Sequence, residues 1–135
     1  MADLEALGWD AGFAADAAGA NRPGARPGRV ARVDLGLVTV WTAGEPVRAV
    51  PAADPVATGD WVLVEEVDGE HTVTAVLARR SAFVRGASID GVARGAQVLA
   101  ANIDTVFIVH ALTGSPNLRR LERELVLAYD SGATP

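Results

Sequence analysis

The placement of arginine along this chain predicts binding of a negatively charged partner. All 12 basic residues are arginine, and a guanidinium group donates paired hydrogen bonds to phosphate oxygens. The arginines are concentrated in residues 22–48 and 79–97, whereas residues 1–20 and 49–78 carry acidic charges and no basic ones. This alternation allows one positive face despite the net charge of −5, and it favours a polyanionic partner. Exclusive use of arginine fits a GC-rich genome, so the interpretation rests on the block pattern.

Six arginines on or beside predicted strands are the candidate nucleic-acid-binding residues. Contacts of this kind with RNA phosphates release counterions, so the affinity would depend on salt. The alternative is that these arginines only keep an Ala/Val-rich protein soluble. Trp41 and Trp61 are candidates for base stacking, although a tryptophan in a small barrel more often belongs to the core. The six candidates are Arg29, Arg32, Arg48, Arg79, Arg80 and Arg85.

The 135 residues lack the side chains that nucleotide hydrolysis and metal binding require. A phosphate-binding loop and a guanine-recognition motif both require a lysine, and the sequence has none. The stretch "ANID" is therefore interpreted as strand entry by Asn102 and Asp104. With no cysteine, and with His71 and His110 isolated in the sequence, no metal site is predicted. The sequence predicts no catalytic, cofactor-binding or metal-ligating residue here.

The elements that must position the arginines begin after an N-terminal arm and linker, residues 1–27, in which Trp9 and Phe13 are expected to anchor the arm onto the body. Residues 28–85 contain five short Val-rich segments separated by turn signals, including "TGD" and "DGE". Short, strongly twisted strands of this number favour a closed barrel, which leaves no exposed edge. A five-stranded OB-fold barrel is predicted, with an SH3-like barrel as the alternative.

The character of the sequence changes near residue 97, after a glycine-rich linker at 86–97. A nearly continuous apolar run predicts a buried parallel strand from Asn102 to Leu112. Leucines at helical spacing between Asn117 and Ser131, followed by Gly132, predict an amphipathic helix. Residues 98–135 are thus predicted to begin an α/β domain. A strand and a helix are half of a βαβ unit, because the crossover helix returns the chain to a second parallel strand, and the sequence raises the question of where the other half lies.

Six stretches carry a family resemblance: "LGWDAGFAA", "GRVARVDLGLVTVWT", "VATGDWVLVE", "RRSAFVRG", "QVLAANIDTVFIVHAL" and "NLRRLERELVLAYDSGATP". Together they resemble the RsgA (YjeQ) family of ribosome-small-subunit-dependent GTPases. The resemblance implies an N-terminal OB-fold, a circularly permuted GTPase domain that binds GTP with magnesium, and a C-terminal zinc-binding region. It also implies action on the small ribosomal subunit and its rRNA, late in subunit assembly in the cytoplasm. On this resemblance the sequence is expected to be the truncated N-terminal part of a longer protein, with GTP and zinc held outside these 135 residues.

The function expected from residues and resemblance together is rRNA docking by the N-terminal part of such a GTPase, which would be inactive alone. The alternative is a free-standing OB-type module that binds RNA or protein and has no enzymatic activity. If the helix exposes Leu121, Leu125 and Tyr129, the chain is expected to self-associate. The acidic N-terminus and the short apolar runs predict neither a secretory signal nor a membrane span, so a cytoplasmic location is expected.

Overall fold

A computed structural model describes residues 3–51, 54–85 and 97–135 of the chain. The chain divides into two units, Met1–Arg79 and Arg80–Pro135, and most of the predicted linker at 86–97 lies outside the described residues. The first unit contains α1 (Ala11–Gly19), β1 (Arg26–Asp34), β2 (Leu37–Thr42), β3 (Val47–Ala49), β4 (Trp61–Val67) and β5 (Glu70–Val76). The second contains β6 (Ala82–Arg85), β7 (Gln97–Ala101) and α2 (Leu118–Asp130).

The five strands of the first unit form a barrel. They are arranged in the order β3-β2-β1-β4-β5, and all neighbours in this order are antiparallel. The barrel closes where Val50, just after β3, forms a parallel bridge with Thr72 of β5. The Val50 N–H donates to the carbonyl of His71 at 2.9 Å, and the Val73 N–H donates to the carbonyl of Val50 at 2.9 Å. This connectivity is that of an OB-fold, and it confirms the predicted fold class.

The period-two pattern of valines explains why these segments become strands. Alternate side chains of a strand point to opposite faces, and the inward set fills the barrel. The predicted strands are confirmed, except that β1 begins at Arg26, inside the predicted linker. Arg26 and Pro27 pair with Val64 and Leu63 of β4, so strand pairing outweighs the local glycine and proline content. The buried core consists of Val30, Val38, Val40, Ala49, Val62, Val64 and Val73.

The N-terminal segment packs on the outside of the barrel. Asp10 caps α1, because its Oδ1 accepts hydrogen bonds from the N–H groups of Gly12 at 3.0 Å and Phe13 at 3.1 Å. Phe13 and Trp61 are buried in a second cluster, and the ring of Trp9 lies 4.9 Å from that of Trp61. Trp9 and Phe13 therefore anchor this segment to the body, as predicted.

The second unit confirms the predicted helix and contradicts the predicted strand. Helix α2 begins after Asn117, whose Oδ1 accepts from the N–H of Arg120 at 3.1 Å, and Gly132 follows its end with φ of +88°. The strand β7 ends at Ala101, and no strand follows it between 102 and 112. Among the described residues only Thr105 forms a bridge there, with Thr134. A buried parallel strand needs a hydrogen-bonded strand on each side, and this run has none among the described residues. Phe107 of this run is accordingly 88% exposed.

Two of the stretches noted in the sequence meet in the second unit. The Ser81 hydroxyl donates to the carbonyl of Ile103 at 2.7 Å and accepts from the Ile103 N–H at 2.6 Å. The Arg80 N–H donates to Oδ1 of Asn102 at 2.9 Å. Asn102 has φ of +54° and comes directly after β7, so it turns the chain out of a strand, whereas strand entry was expected.

None of the helices in the described ranges has the length and apolar character needed to cross a bilayer.

Gly28 is expected to be essential for the packing of β1 against β2. A Cβ atom at this buried position would lie 2.8 Å from the carbonyl oxygen of Trp41. Gly28→Ala should therefore lower the free energy of unfolding by about 1–3 kcal/mol. The change is measured by urea unfolding followed by tryptophan fluorescence, since all three tryptophans lie in the first unit.

The matched control is Gly19→Ala at the end of α1, where an added Cβ atom meets nothing within 4 Å. This variant should be unchanged or slightly more stable, because alanine favours the helix. Equal unfolding midpoints for the two variants would contradict the prediction.

Candidate nucleic-acid interface

Two of the six candidate arginines lie in one row on the outer face of the barrel. Arg32 of β1 pairs with Thr39 of β2, and Thr39 pairs with Arg48 of β3. A bulge between Val30 and Arg32 shifts the register of β1. Without it, Arg32 would share the inward face of Val30, because residues two apart in a regular strand point the same way. The side chains of Arg32 and Arg48 are 73% and 55% exposed.

A single carboxylate holds this row together. Asp34 at the end of β1 accepts from Nε of Arg32 at 2.8 Å and lies 3.4 Å from Nη2 of Arg48. Because both arginines are exposed to solvent, these ion pairs contribute little to stability. They orient two guanidinium groups at the same edge of the outer face and leave a net charge of +1 among the three side chains.

Arg29 has a different environment, although it lies on the same strand. Its Nε donates to the carbonyl of Gly59 at 3.1 Å, and its Nη1 donates to the carbonyl of Leu7. The guanidinium carbon lies 5.8 Å from the ring centre of Trp61, within the range of a cation–π contact. Arg29 therefore ties the N-terminal segment to the barrel.

Arg79 makes a bidentate ion pair with a buried carboxylate. Its Nε and Nη2 each donate to Asp60 at 2.7 Å, and Nη2 also donates to the carbonyl of Pro55 at 3.3 Å. The Asp60 side chain is fully buried and also accepts from the N–H of Ala57 at 2.8 Å. The hydrogen bond with Asp60 raises the pKa of Arg79 above its ordinary value, although burial opposes this. Asp60 of the predicted "TGD" turn therefore has a structural role.

The remaining two candidates, Arg80 and Arg85, belong to the second unit. Both are exposed, and Arg85 lies at the end of β6, opposite Gln97 of β7. The barrel row therefore contains Arg32 and Arg48, while Arg29 and Arg79 make the structural contacts of the first unit.

Trp41 lies on the outer face, whereas the sequence favoured a core position and left base stacking as the other possibility. Trp61 is fully buried, as expected, but Trp41 is 44% exposed. The signal was available in the sequence, because Val38, Val40 and Thr42 of β2 point inward and place Trp41 on the opposite face. The outer face therefore offers an indole ring two residues along β2 from Thr39.

The second unit has its own cluster of charges. Glu124 of α2 accepts from Nε of Arg120 at 2.9 Å and lies 2.6 Å from Nε2 of His110. The hydrogen bond with Arg120, and to a lesser extent that with His110, lowers the pKa of Glu124 below its ordinary value. The contact links residues 106–110 to the helix. Across the described ranges, no three His, Cys, Asp or Glu side chains are grouped so that they could hold a metal ion.

The sequence of the chain is similar to those of several proteins of one family. No family model matches the chain. It is 43% identical to the small ribosomal subunit biogenesis GTPase RsgA of Streptomyces avermitilis and 42% identical to that of Streptomyces coelicolor, in each case over 98% of the chain. RsgA of Xanthomonas axonopodis is 40% identical over 97% of the chain. The chain spans 36–37% of the length of these three relatives.

Two solved structures share the fold. YjeQ from Thermotoga maritima matches 81% of this chain with a TM-score of 0.59 at 20% identity, and the match covers 38% of the YjeQ chain. YloQ, a circularly permuted GTPase, matches 85% of this chain with a TM-score of 0.57 at 18% identity, covering 40% of the YloQ chain. The fold likeness extends over most of both units.

Asp60 is expected to be the acid on which the first unit depends most. In Asp60→Asn the Arg79 guanidinium, three-quarters buried, loses its anionic partner, and breaking such a pair costs about 3 kcal/mol of the free energy of unfolding. The measurement is urea unfolding followed by tryptophan fluorescence.

Asp34→Asn is the matched control, since this acid is paired with two arginines, Arg32 and Arg48, whose side chains are exposed. It should cost less than about 1 kcal/mol. A loss for Asp34→Asn as large as that for Asp60→Asn would show that burial does not decide the effect.

Proposed function

We propose that this chain, which is homologous to the N-terminal portion of the RsgA family of small ribosomal subunit biogenesis GTPases, docks on the RNA of the small ribosomal subunit through the outer face of its barrel. The observation that carries the proposal is the exposed row of Arg32, Thr39 and Arg48 on β1, β2 and β3. OB-folds bind oligonucleotides on the face of their second and third strands. Thr39 and Arg48 lie on these two strands, and Arg32 lies beside Thr39 on β1.

Phosphate is the ligand chemistry that fits the row. Arg32 and Arg48 present planar guanidinium groups, which match phosphate oxygens in geometry and charge. Thr39 between them supplies a hydroxyl that can donate to a phosphate or a ribose. Each phosphate neutralised by an arginine releases counterions, so binding would weaken as the salt concentration rises.

The residues of this chain do not fit a GTP site. Its 135 residues include no lysine, which both the phosphate-binding loop and the guanine-recognition motif require. For a protein of the relatives' full length, the proposal is that the barrel docks on the subunit while other residues bind GTP, magnesium and zinc. No step of GTP hydrolysis is assigned to the residues of this chain.

Removing both row arginines should weaken RNA binding in a salt-dependent way. With Arg32→Ala and Arg48→Ala combined, the slope of log K against log salt concentration should fall by about 1.5, roughly 0.7–0.9 for each lost phosphate contact. Fluorescence anisotropy with labelled small-subunit rRNA segments at several salt concentrations measures this slope.

Arg119→Ala is the matched control, because Arg119 is an exposed arginine on α2 of the second unit. It should leave affinity and slope unchanged. If affinity for the assembled subunit is retained and does not vary with salt, the barrel binds a protein instead, and the RNA proposal is wrong.

Self-association through α2 is also part of the proposal. Leu121 and Leu125 are half-buried, whereas Leu118 is 63% exposed, Val126 57% and Tyr129 68%. We therefore expect mass to increase with concentration in light scattering, and Val126→Ser to reduce the effect. A monomer at all concentrations would contradict this part of the proposal and leave RNA docking unaffected.

A further inference from the structure

Three side chains form a second row on the outer face of the barrel. Arg29 of β1 pairs with Trp41 of β2 on one side and with Trp61 of β4 on the other. Arg29 lies one position along β1 from the buried Val30, so the three side chains share the outer face. The barrel thus presents an indole, a guanidinium and a second indole across three adjacent strands.

The two indoles of this row differ in what covers them. Trp61 is fully buried because the rings of Trp9 and Phe13 lie 4.9 and 5.7 Å from it. Trp41 is 44% exposed, and none of the ring pairs in the described part of the chain includes it. The chain therefore covers Trp61 with its own planar rings and leaves Trp41 partly exposed to solvent.

The open half lies beside the arginine row. Thr39 is two residues from Trp41 on β2, and its neighbours across the strands are Arg32 and Arg48. Positions two apart on one strand are about 7 Å from each other. Neighbouring strands are about 4.8 Å apart, so the backbones that carry the indole and the two guanidinium groups lie within about 10 Å of one another.

We propose that Trp41 stacks on an unpaired base of the RNA bound by this face, while Arg32 and Arg48 contact the adjoining phosphates. The inference rests on the proposed function and names its ligand class: a single-stranded segment or loop. A base inside a duplex is already stacked on both sides and offers no free face, whereas unpaired bases stack on aromatic side chains. Such stacking tolerates any base, so Trp41 selects for unpaired RNA and not for a sequence.

A structural role for Trp41 would have a different signature. Trp41 also pairs with Arg29, which ties the N-terminal segment to the barrel. If Trp41 served only to cover Arg29, its removal would lower the stability of the first unit and weaken every ligand to the same extent. The experiment therefore measures the unfolding midpoint of each variant and its affinity for single-stranded and for duplex RNA.

The test compares Trp41→Ala and Trp41→Phe with the unchanged chain by anisotropy. The probes are a labelled 12-nucleotide single-stranded RNA (about the span of one OB-fold site) and the same sequence as a duplex. Trp41→Ala should lose about tenfold in affinity for the single strand, while Trp41→Phe, which keeps a ring, should lose less. Neither variant should change the salt slope or the weaker duplex binding. Phe107→Ala, at an aromatic residue that is 88% exposed in the second unit, is the control.

Intrinsic fluorescence gives a second readout that does not require full removal of the ring. Trp61 is fully buried and Trp9 is packed against it, so single-stranded RNA should quench chiefly the emission of Trp41. Most of the quenching should disappear in Trp41→Phe. Quenching that persists unchanged in this variant would overturn the stacking proposal.

The outcomes separate the inference from the function on which it rests. Normal single-strand affinity in Trp41→Ala, with the salt slope still dependent on Arg32 and Arg48, would overturn stacking and leave RNA docking in place. Equal losses for single strand and duplex, accompanied by a lower unfolding midpoint, would assign Trp41 a structural role. A loss seen only with the assembled subunit and not with free RNA would indicate a protein contact and overturn the inference. A salt slope independent of both arginines would overturn the docking function itself.

Discussion

The ion pair between Asp60 and Arg79 is the interaction on which the arrangement of the first unit depends. A fully buried carboxylate accepts two hydrogen bonds from Arg79 and one from the N–H of Ala57. It thereby joins the loop before β4 to the chain after β5. Isolated burial of this charge would be very unfavourable, so the two segments are held together wherever the barrel is folded. Trp61 follows Asp60 directly, and its position is set by the same contact.

The position of Trp61 determines where the N-terminal segment packs on the outer face. Trp61 is the surface on which Trp9 and Phe13 pack, and Arg29 completes the attachment by donating to the carbonyls of Gly59 and Leu7. The N-terminal segment therefore covers the β4 side of the outer face. What remains open is the part of the face that carries Trp41 and the arginine row. A contact made for stability thus decides which aromatic ring stays available for a partner.

The sequence predicts the fold well because each strand carries its own pattern. Alternating valines, the "TGD" turn and the helical spacing of leucines before Gly132 are local signals, and the corresponding elements form as predicted. The roles of the arginines are not local: Arg79 meets Asp60 across 19 positions, and Arg29 meets the carbonyl of Gly59 across 30. Composition cannot separate such arginines from Arg32, which a bulge turns outward. The apolar run at 102–112 failed as a strand prediction because a buried strand depends on neighbours that hydropathy does not encode.

Asp34 gives the outer face a property that its arginines alone would not have. A phosphate that approaches Arg32 and Arg48 replaces one anion with another, so the electrostatic gain is smaller than for two unpaired guanidinium groups. Affinity for any polyanion is lowered accordingly, and with it the affinity for unrelated nucleic acid. The stacking surface of Trp41 contains no charge and is unaffected by this exchange. On the proposed function, discrimination on this face would therefore depend more on the availability of an unpaired base than on the density of phosphates.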